Sequence, residues 1–155
     1  MKLNILTVGD PGNKHLKALA DRYTQRIRRY APVMRTAVKP VRIKSLSKEQ
    51  IKQQESDRLY DKCLQHDHVV ALDARGEQMS SEDFAQFFND SARRSVRQIT
   101  FVIGGPLGLD SAFLKQAHRR LSISAMTLPH ELALVVLLEQ IYRAHTILKG
   151  EPYHK

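Results

Sequence analysis

The order of apolar and polar positions divides the chain into alternating strand-like and helix-like stretches. Residues 2–8 alternate toward an apolar strand that stops at Gly9-Asp10-Pro11-Gly12, which predicts a strand followed by a turn. Leu16, Leu19, Ala20, Tyr23, Ile27 and Tyr30 then recur at helical spacing until Pro32 closes the pattern. Residues 35–43 suit a second strand, in which Pro40 marks a sheet edge or an early end. Ser47 with Gln50 three residues later has the form of a capping box and opens a polar helix reaching about Gln65. Residues 69–72 read as a short buried strand. Ser80 with Asp83 starts a helix through Phe84, Phe87 and Phe88, and residues 99–103 form a strongly apolar strand. A short helix over 111–118, a short strand over 121–125 and a final helix over 131–148 complete the order.

Strand alternating with helix predicts a parallel sheet covered by helices on both faces. No internal repeat, low-complexity segment or linker interrupts it, so one α/β domain spans residues 1–155. In such sheets ligands bind beyond the carboxyl ends of the strands. That directs attention to the loops after Leu72, Ile103 and Ser124. The loop after Ile103, Gly104-Gly105-Pro106-Leu107-Gly108-Leu109, places three glycines at a strand end, where a ligand can approach the backbone closely. Its glycine spacing is neither a dinucleotide fingerprint nor a Walker loop. The run Ser124-Ala125-Met126-Thr127-Leu128-Pro129-His130 leads into the last helix, and its small residues leave room for a flat ring. By itself Thr127 reads as a helix cap and His130 as an ordinary satisfied polar residue. The last helix contains residues 132–138, apolar around the full circumference, which predicts burial on more than one side and a second subunit as the further cover.

Composition changes this picture in two respects. The net charge is +9, and Arg22, Arg26, Arg28, Arg29, Arg35, Lys39, Arg42, Lys44 and Lys48 lie in a stretch without an acidic residue between Asp21 and Glu49. A polyanionic partner is the physical expectation, with a solvated solubilising face as its rival. The longest apolar run is too short to span a bilayer, the start MKLNILTVGD is unlike a signal peptide, and the single Cys63 can form no internal disulfide. A soluble, cytoplasmic protein is expected. His66 and His68 flank Asp67 at alternating positions, but no third and fourth ligand accompanies them, so no metal is expected.

The stretches IGGPLGLD and LSISAMTLPHELALVVLLEQIYRAHTILKGEPYHK resemble the C-terminal half of the ribosomal large subunit methyltransferase H family, of the SPOUT superfamily. The resemblance joins the glycine loop, S-A-M-T-L-P-H, L-x-E-Q-I-Y-R-A and a terminal P-Y-H at matching mutual spacing. It extends more loosely to the N-terminal half, through K-L-x-I-x-x-V-G ending at Gly9, through Tyr23, and through Val70-Ala71-Leu72-Asp73. It implies a dimer with a C-terminal trefoil knot, which general topology rules would not propose. It implies S-adenosyl-L-methionine as cofactor, held largely by backbone groups of Leu72, Gly105, Ser124, Ala125, Met126, Thr127, Leu128 and Pro129. The implied substrate is 23S rRNA, free or within the large subunit or ribosome, methylated at ring nitrogen N3 of a pseudouridine in helix 69.

That nitrogen is protonated at neutral pH, so the enzyme must help remove its proton or stabilise the anion. His130, Arg143, Tyr153 and His154 are the catalytic candidates: Tyr153 and His154 to place the base, Arg143 to stabilise phosphate or anion. Arg22, Arg26 and Arg29 are the candidate RNA-phosphate contacts. The family commonly carries arginine after the terminal Tyr-His pair, whereas Lys155 keeps the charge and loses the planar fork. Two other functions fit parts of the pattern: a non-catalytic RNA-binding protein using the basic stretch alone, and a nucleotide-binding enzyme, which the missing phosphate motifs disfavour.

Overall fold

A computed structural model describes residues 1–63 and 68–154. Its strands are β1 (Lys2–Val8), β2 (Val33–Val38), β3 (His68–Gln78), β4 (Gln98–Ile103) and β5 (Arg119–Ser122). Its helices are α1 (Lys14–Ile27), α2 (Lys48–Tyr60), α3 (Ser81–Arg93), α4 (Ser111–Gln116) and α5 (His130–Leu148). The strands form one sheet in the order β2-β1-β4-β3-β5, and the strands pair in parallel throughout the described residues. Both capping boxes are formed. Ser47 Oγ accepts the Gln50 N–H at 3.2 Å and Ser80 Oγ accepts that of Asp83 at 3.0 Å.

Alternation along the central strands feeds two apolar layers, because successive side chains point to opposite faces. Leu3, Ile5, Val70, Ile99 and Phe101 pack with Ala20 and Ile27 of α1, Phe84 and Phe88 of α3, and Leu134, Leu138 and Ile141 of α5. Leu6, Val8, Ala71 and Val102 face the other way and meet Leu59 of α2 and Phe113 and Leu114 of α4. The last helix is buried on more than one side. Leu134, Val135, Leu137 and Leu138 are all buried within the single chain, because α1 and α3 flank α5 against the sheet. Much of its apolar circumference is thus covered within one chain, while Leu132 is exposed and Ala133 and Val136 are half-buried.

Several boundaries differ from the sequence expectation. β2 spans Val33–Val38 rather than 35–43 and ends before Pro40, at a sheet edge as that proline requires. β5 begins two residues earlier than expected, since Arg119 and Arg120 pair through their backbone at the opposite edge. β3 runs on through a polar segment: Leu72 and Glu77 both oppose Leu121, so residues 73–76 arch out of the ladder. α2 ends at Tyr60; the expected end near Gln65, together with His66, Asp67 and Lys155, lies outside the described residues. Among the described residues no helix is long and apolar enough to cross a membrane.

One core group carries a pH dependence. The His145 ring stacks on Tyr30 (centroids 5.5 Å apart) and packs against Phe88, and burial, Lys149 and the N-terminus push its pKa below 6.5. The unfolded chain takes the proton more readily, so this contribution is complete above pH 6.5 and is lost as pH falls below it. His145→Phe should therefore lose less Tm than the wild type between about pH 7.5 and pH 5.5, as thermal melts in matched buffers would show. Equal losses would remove His145 from the acid response.

Candidate active site

The carboxyl ends of β4 and β5 and the arch in β3 surround a cavity of about 700 Å³. This is within the usual range for small-molecule sites. Leu72, Gly105, Ser124, Met126, Thr127, Leu128 and Pro129 line it, as does His130; Ala125, the remaining candidate, is exposed and is not among the lining residues. Leu109, Leu114, Leu121 and Ile123 provide apolar wall, while Lys52, Asp73 and Arg75 supply charge that the sequence reading did not assign. Burial opposes ionisation of Asp73, but the Arg120 guanidinium and the Arg75 N–H outweigh it and hold the carboxyl below its ordinary range. Ser122 Oγ donates to Ala74 O at 3.1 Å, tying down the same arch.

The glycine loop is shaped by its own chain. A Cβ at Gly104 would lie 2.5 Å from the Gly108 carbonyl carbon and 2.9 Å from Leu109 N. A Cβ at Gly105 would lie 2.6 Å from Glu55 Oε2 and 3.3 Å from Val8 Cγ1. Both would-be side chains point at protein, so these glycines serve backbone packing first; the cavity lies on the loop's other side. The loop closes through Gly108 N–H donating to Gly105 O at 2.9 Å, with Gly108 at φ +77°. At the next loop Pro129, without a side-chain cap, precedes α5, so Thr127 is not its cap; Ser124 Oγ instead accepts the Met126 N–H at 3.0 Å.

The other catalytic candidates gather elsewhere. Arg143 donates from Nε and Nη2 to Glu139 Oε1 at 3.1 and 2.6 Å, and the Tyr153 hydroxyl donates to that same oxygen at 3.0 Å. His154 bridges Arg143 Nη1 at 3.4 Å and Glu82 Oε1 at 2.8 Å. A tautomer with the proton on Nε2 satisfies both contacts, donating to Glu82 and accepting from Arg143. Burial, then hydrogen bonds with Tyr23 and Glu139, push the Tyr153 phenol far above its ordinary pKa. At neutral pH it is therefore a donor and not a base. Glu139 was missed in the sequence; its position four residues before Arg143 on a helix was the available signal.

Arg26 is held by aromatic rings. Its guanidinium lies over the Tyr142 ring at 4.7 Å and the Tyr153 ring at 5.7 Å, while Arg22 and Arg29 are exposed. It is thus drawn into the aromatic cluster and is half-buried, unlike its two neighbours.

His130 and Arg143 are thirteen residues apart on α5, which places them roughly 20 Å apart along the axis at 1.5 Å per residue. The cavity and the C-terminal cluster consequently sit at opposite ends of one helix. They cannot act on one small group within a single chain.

Comparison with known proteins bears on the family and the fold. A family model described as "Predicted SPOUT methyltransferase" matches residues 1–154. Proteins named ribosomal RNA large subunit methyltransferase H from Streptococcus suis and Clostridium kluyveri are each 40% identical over 159 aligned residues, covering all of both chains. A probable methyltransferase from Bordetella pertussis superposes with a TM-score of 0.57 at 14% identity, over 92% of this chain and 95% of that one, which bears on the fold alone. With its parallel sheet, its cavity at the strand ends and a family match over nearly its full length, the chain belongs to the SPOUT methyltransferase family.

Proposed function

We propose that this protein is an S-adenosyl-L-methionine-dependent methyltransferase of 23S rRNA, acting as a homodimer on ring nitrogen N3 of a pseudouridine in helix 69. The observation that carries the reading is the cavity at the strand ends, whose lining contains seven of the eight residues that the family resemblance assigns to the cofactor. Its apolar wall and backbone-rich loops fit a nucleoside with an uncharged base, and the described lining holds a single carboxylate, Asp73. We place the cofactor there, in the C-terminal region where the resemblance implies a knot. When bound, it supplies a methyl group on a sulfonium, whose thioether leaves without needing a proton.

The chain's own residues must orient the base and manage its N3 proton. Tyr153 offers a ring face, and His154 and Arg143 offer polar edges, a combination suited to a splayed-out base. Arg143 stays cationic, since Glu139 raises its pKa. It is placed to stabilise the anion left when N3 gives up its proton to solvent. The separation along α5 calls for the cluster of one protomer to face the cavity of another. Dimerisation thus follows from site completion and not from an uncovered apolar helix. Light scattering at micromolar concentration should give a dimer mass; a monomer that methylates would refute the composite site.

Exposed Arg22 and Arg29, with Arg28, Lys39, Arg42 and Lys44, present the cationic surface for RNA. Replacing Arg22 and Arg29 by glutamine should weaken RNA binding across sequences and reduce the salt slope by about 1 to 2, as two lost phosphate contacts would. Cofactor affinity should not change. An unaltered slope in filter-binding titrations would assign RNA to another surface. Mass spectrometry of rRNA from cells with and without the protein tests the whole reading: loss of one methylated pseudouridine is expected. Unchanged rRNA together with retained RNA binding would favour a non-catalytic binding protein.

A further inference from the structure

Glu55, in the middle of α2, is 3% exposed. One carboxylate oxygen accepts the Val41 N–H at 3.0 Å, which anchors the segment between β2 and α2. The other, Oε2, is buried and has no hydrogen-bond partner among the described residues. An unsatisfied buried carboxylate oxygen is costly, and it persists in folded proteins for an identifiable reason. Here it points at the glycine loop: the position a Gly105 Cβ would occupy is 2.6 Å from it, so a Gly105 Cα–H is directed at this oxygen. The next residue, Ser56, is also buried, and its Oγ accepts the Asp110 N–H at 3.0 Å at the far end of the same loop. Asp110 in turn caps α4 by accepting the Phe113 N–H at 2.7 Å. Consecutive side chains of one helix turn therefore support both ends of residues 105–110. Gly105 lines the cavity on the loop's opposite face, whereas Glu55 does not reach the cavity.

We infer that Glu55 is a positioning residue for the cofactor loop: its buried Oε2 sets the depth at which Gly105 sits and hence the width of the cofactor cavity. The inference rests on the cofactor reading above. It accounts for two features together, the glycine at 105 and the orphan oxygen, because each leaves room for the other. A carboxylate suits the seat better than an amide. Glutamine would keep an acceptor for the Val41 N–H but turn two N–H donors toward Cα–H groups, with no acceptor to receive them.

The test combines Glu55→Gln with a double-mutant cycle of Glu55→Asp and Gly105→Ala, read by thermal melts without cofactor and by calorimetry with S-adenosyl-L-methionine. Glu55→Gln should weaken cofactor binding roughly tenfold and lower Tm as well, because its buried N–H donors find no acceptor. Gly105→Ala should lower both Tm and affinity, since its Cβ meets Oε2. Glu55→Asp withdraws the oxygen by one methylene, so the double variant should recover part of both losses. Wild-type affinity in Glu55→Gln, or losses in the double variant equal to the sum of the single losses, would overturn the inference while leaving the cofactor reading intact. Failure of the wild type to bind the cofactor would instead overturn that reading, and the inference with it.

Discussion

Replacing Arg143 by alanine is expected to reduce methyl transfer by about 10²- to 10³-fold while leaving cofactor affinity within a factor of about two, as removal of a preorganised cation at a developing anion does. The argument begins with what Arg143 touches. It shares Glu139 Oε1 with the Tyr153 hydroxyl, lies over the Tyr153 ring at 4.8 Å and contacts the His154 ring. Alanine removes the cation and its contacts with both rings, leaving Glu139 with Tyr153 and Gln140 and His154 with Glu82. Arg143→Lys separates two contributions: it retains the charge but loses the fork that holds Glu139 by two nitrogens. Activity between those of wild type and alanine is therefore expected for lysine. Single-turnover rates with calorimetry on the same preparations provide the check. Should alanine abolish cofactor binding as well, the cluster would be part of the fold of the cavity and not a separate group acting on the base.

Gly104→Ala is expected to weaken cofactor binding more than about 100-fold and to lower Tm, a larger effect than at Gly105. The three atoms nearest its Cβ, at 2.5, 2.7 and 2.9 Å, are all backbone of Gly108 and Leu109, and no rotamer change relieves them. The antiparallel bridge between Gly105 and Gly108 must open or the loop must swing outward, and overpacking of this kind costs about 1–3 kcal/mol or more. At Gly105 the obstacle is mainly the end of a glutamate side chain, which can shift at some cost. Melts and calorimetry on both variants would rank them; a Gly104→Ala protein with wild-type affinity would mean that the loop does not shape the site.

The local signals in the sequence survived folding because they depend on neighbours a few residues away. The Ser47 and Ser80 capping boxes, the strands β1 and β4 and the turn after Val8 all fall where pattern and cap chemistry place them. The strand-end loops with their ring of candidate residues were legible for the same reason, since parallel sheets put sites at one end. Resemblance to a family added the cofactor and substrate, which periodicity alone could not supply. Edge strands were less legible. β5 and the second half of β3 pair through backbone groups and carry Arg119, Arg120, Asp73 and Glu77, so no apolar pattern marks them.

What the sequence determined by itself is therefore the alternation of elements, the parallel sheet with helices on both faces, and the chain segments whose residues carry the chemistry. What only the tertiary structure decided is which groups meet. Packing buried α5 within one chain, turned Arg26 from the basic face onto Tyr142 and Tyr153, and set Glu55 beneath Gly105. It also separated His130 from Arg143 by the length of a helix, although both belong to one continuous motif in sequence. The physical reason is range: hydrogen-bond caps and side-chain periodicity act over a few residues, whereas burial and ion pairing join side chains far apart in the chain, at distances no local pattern encodes.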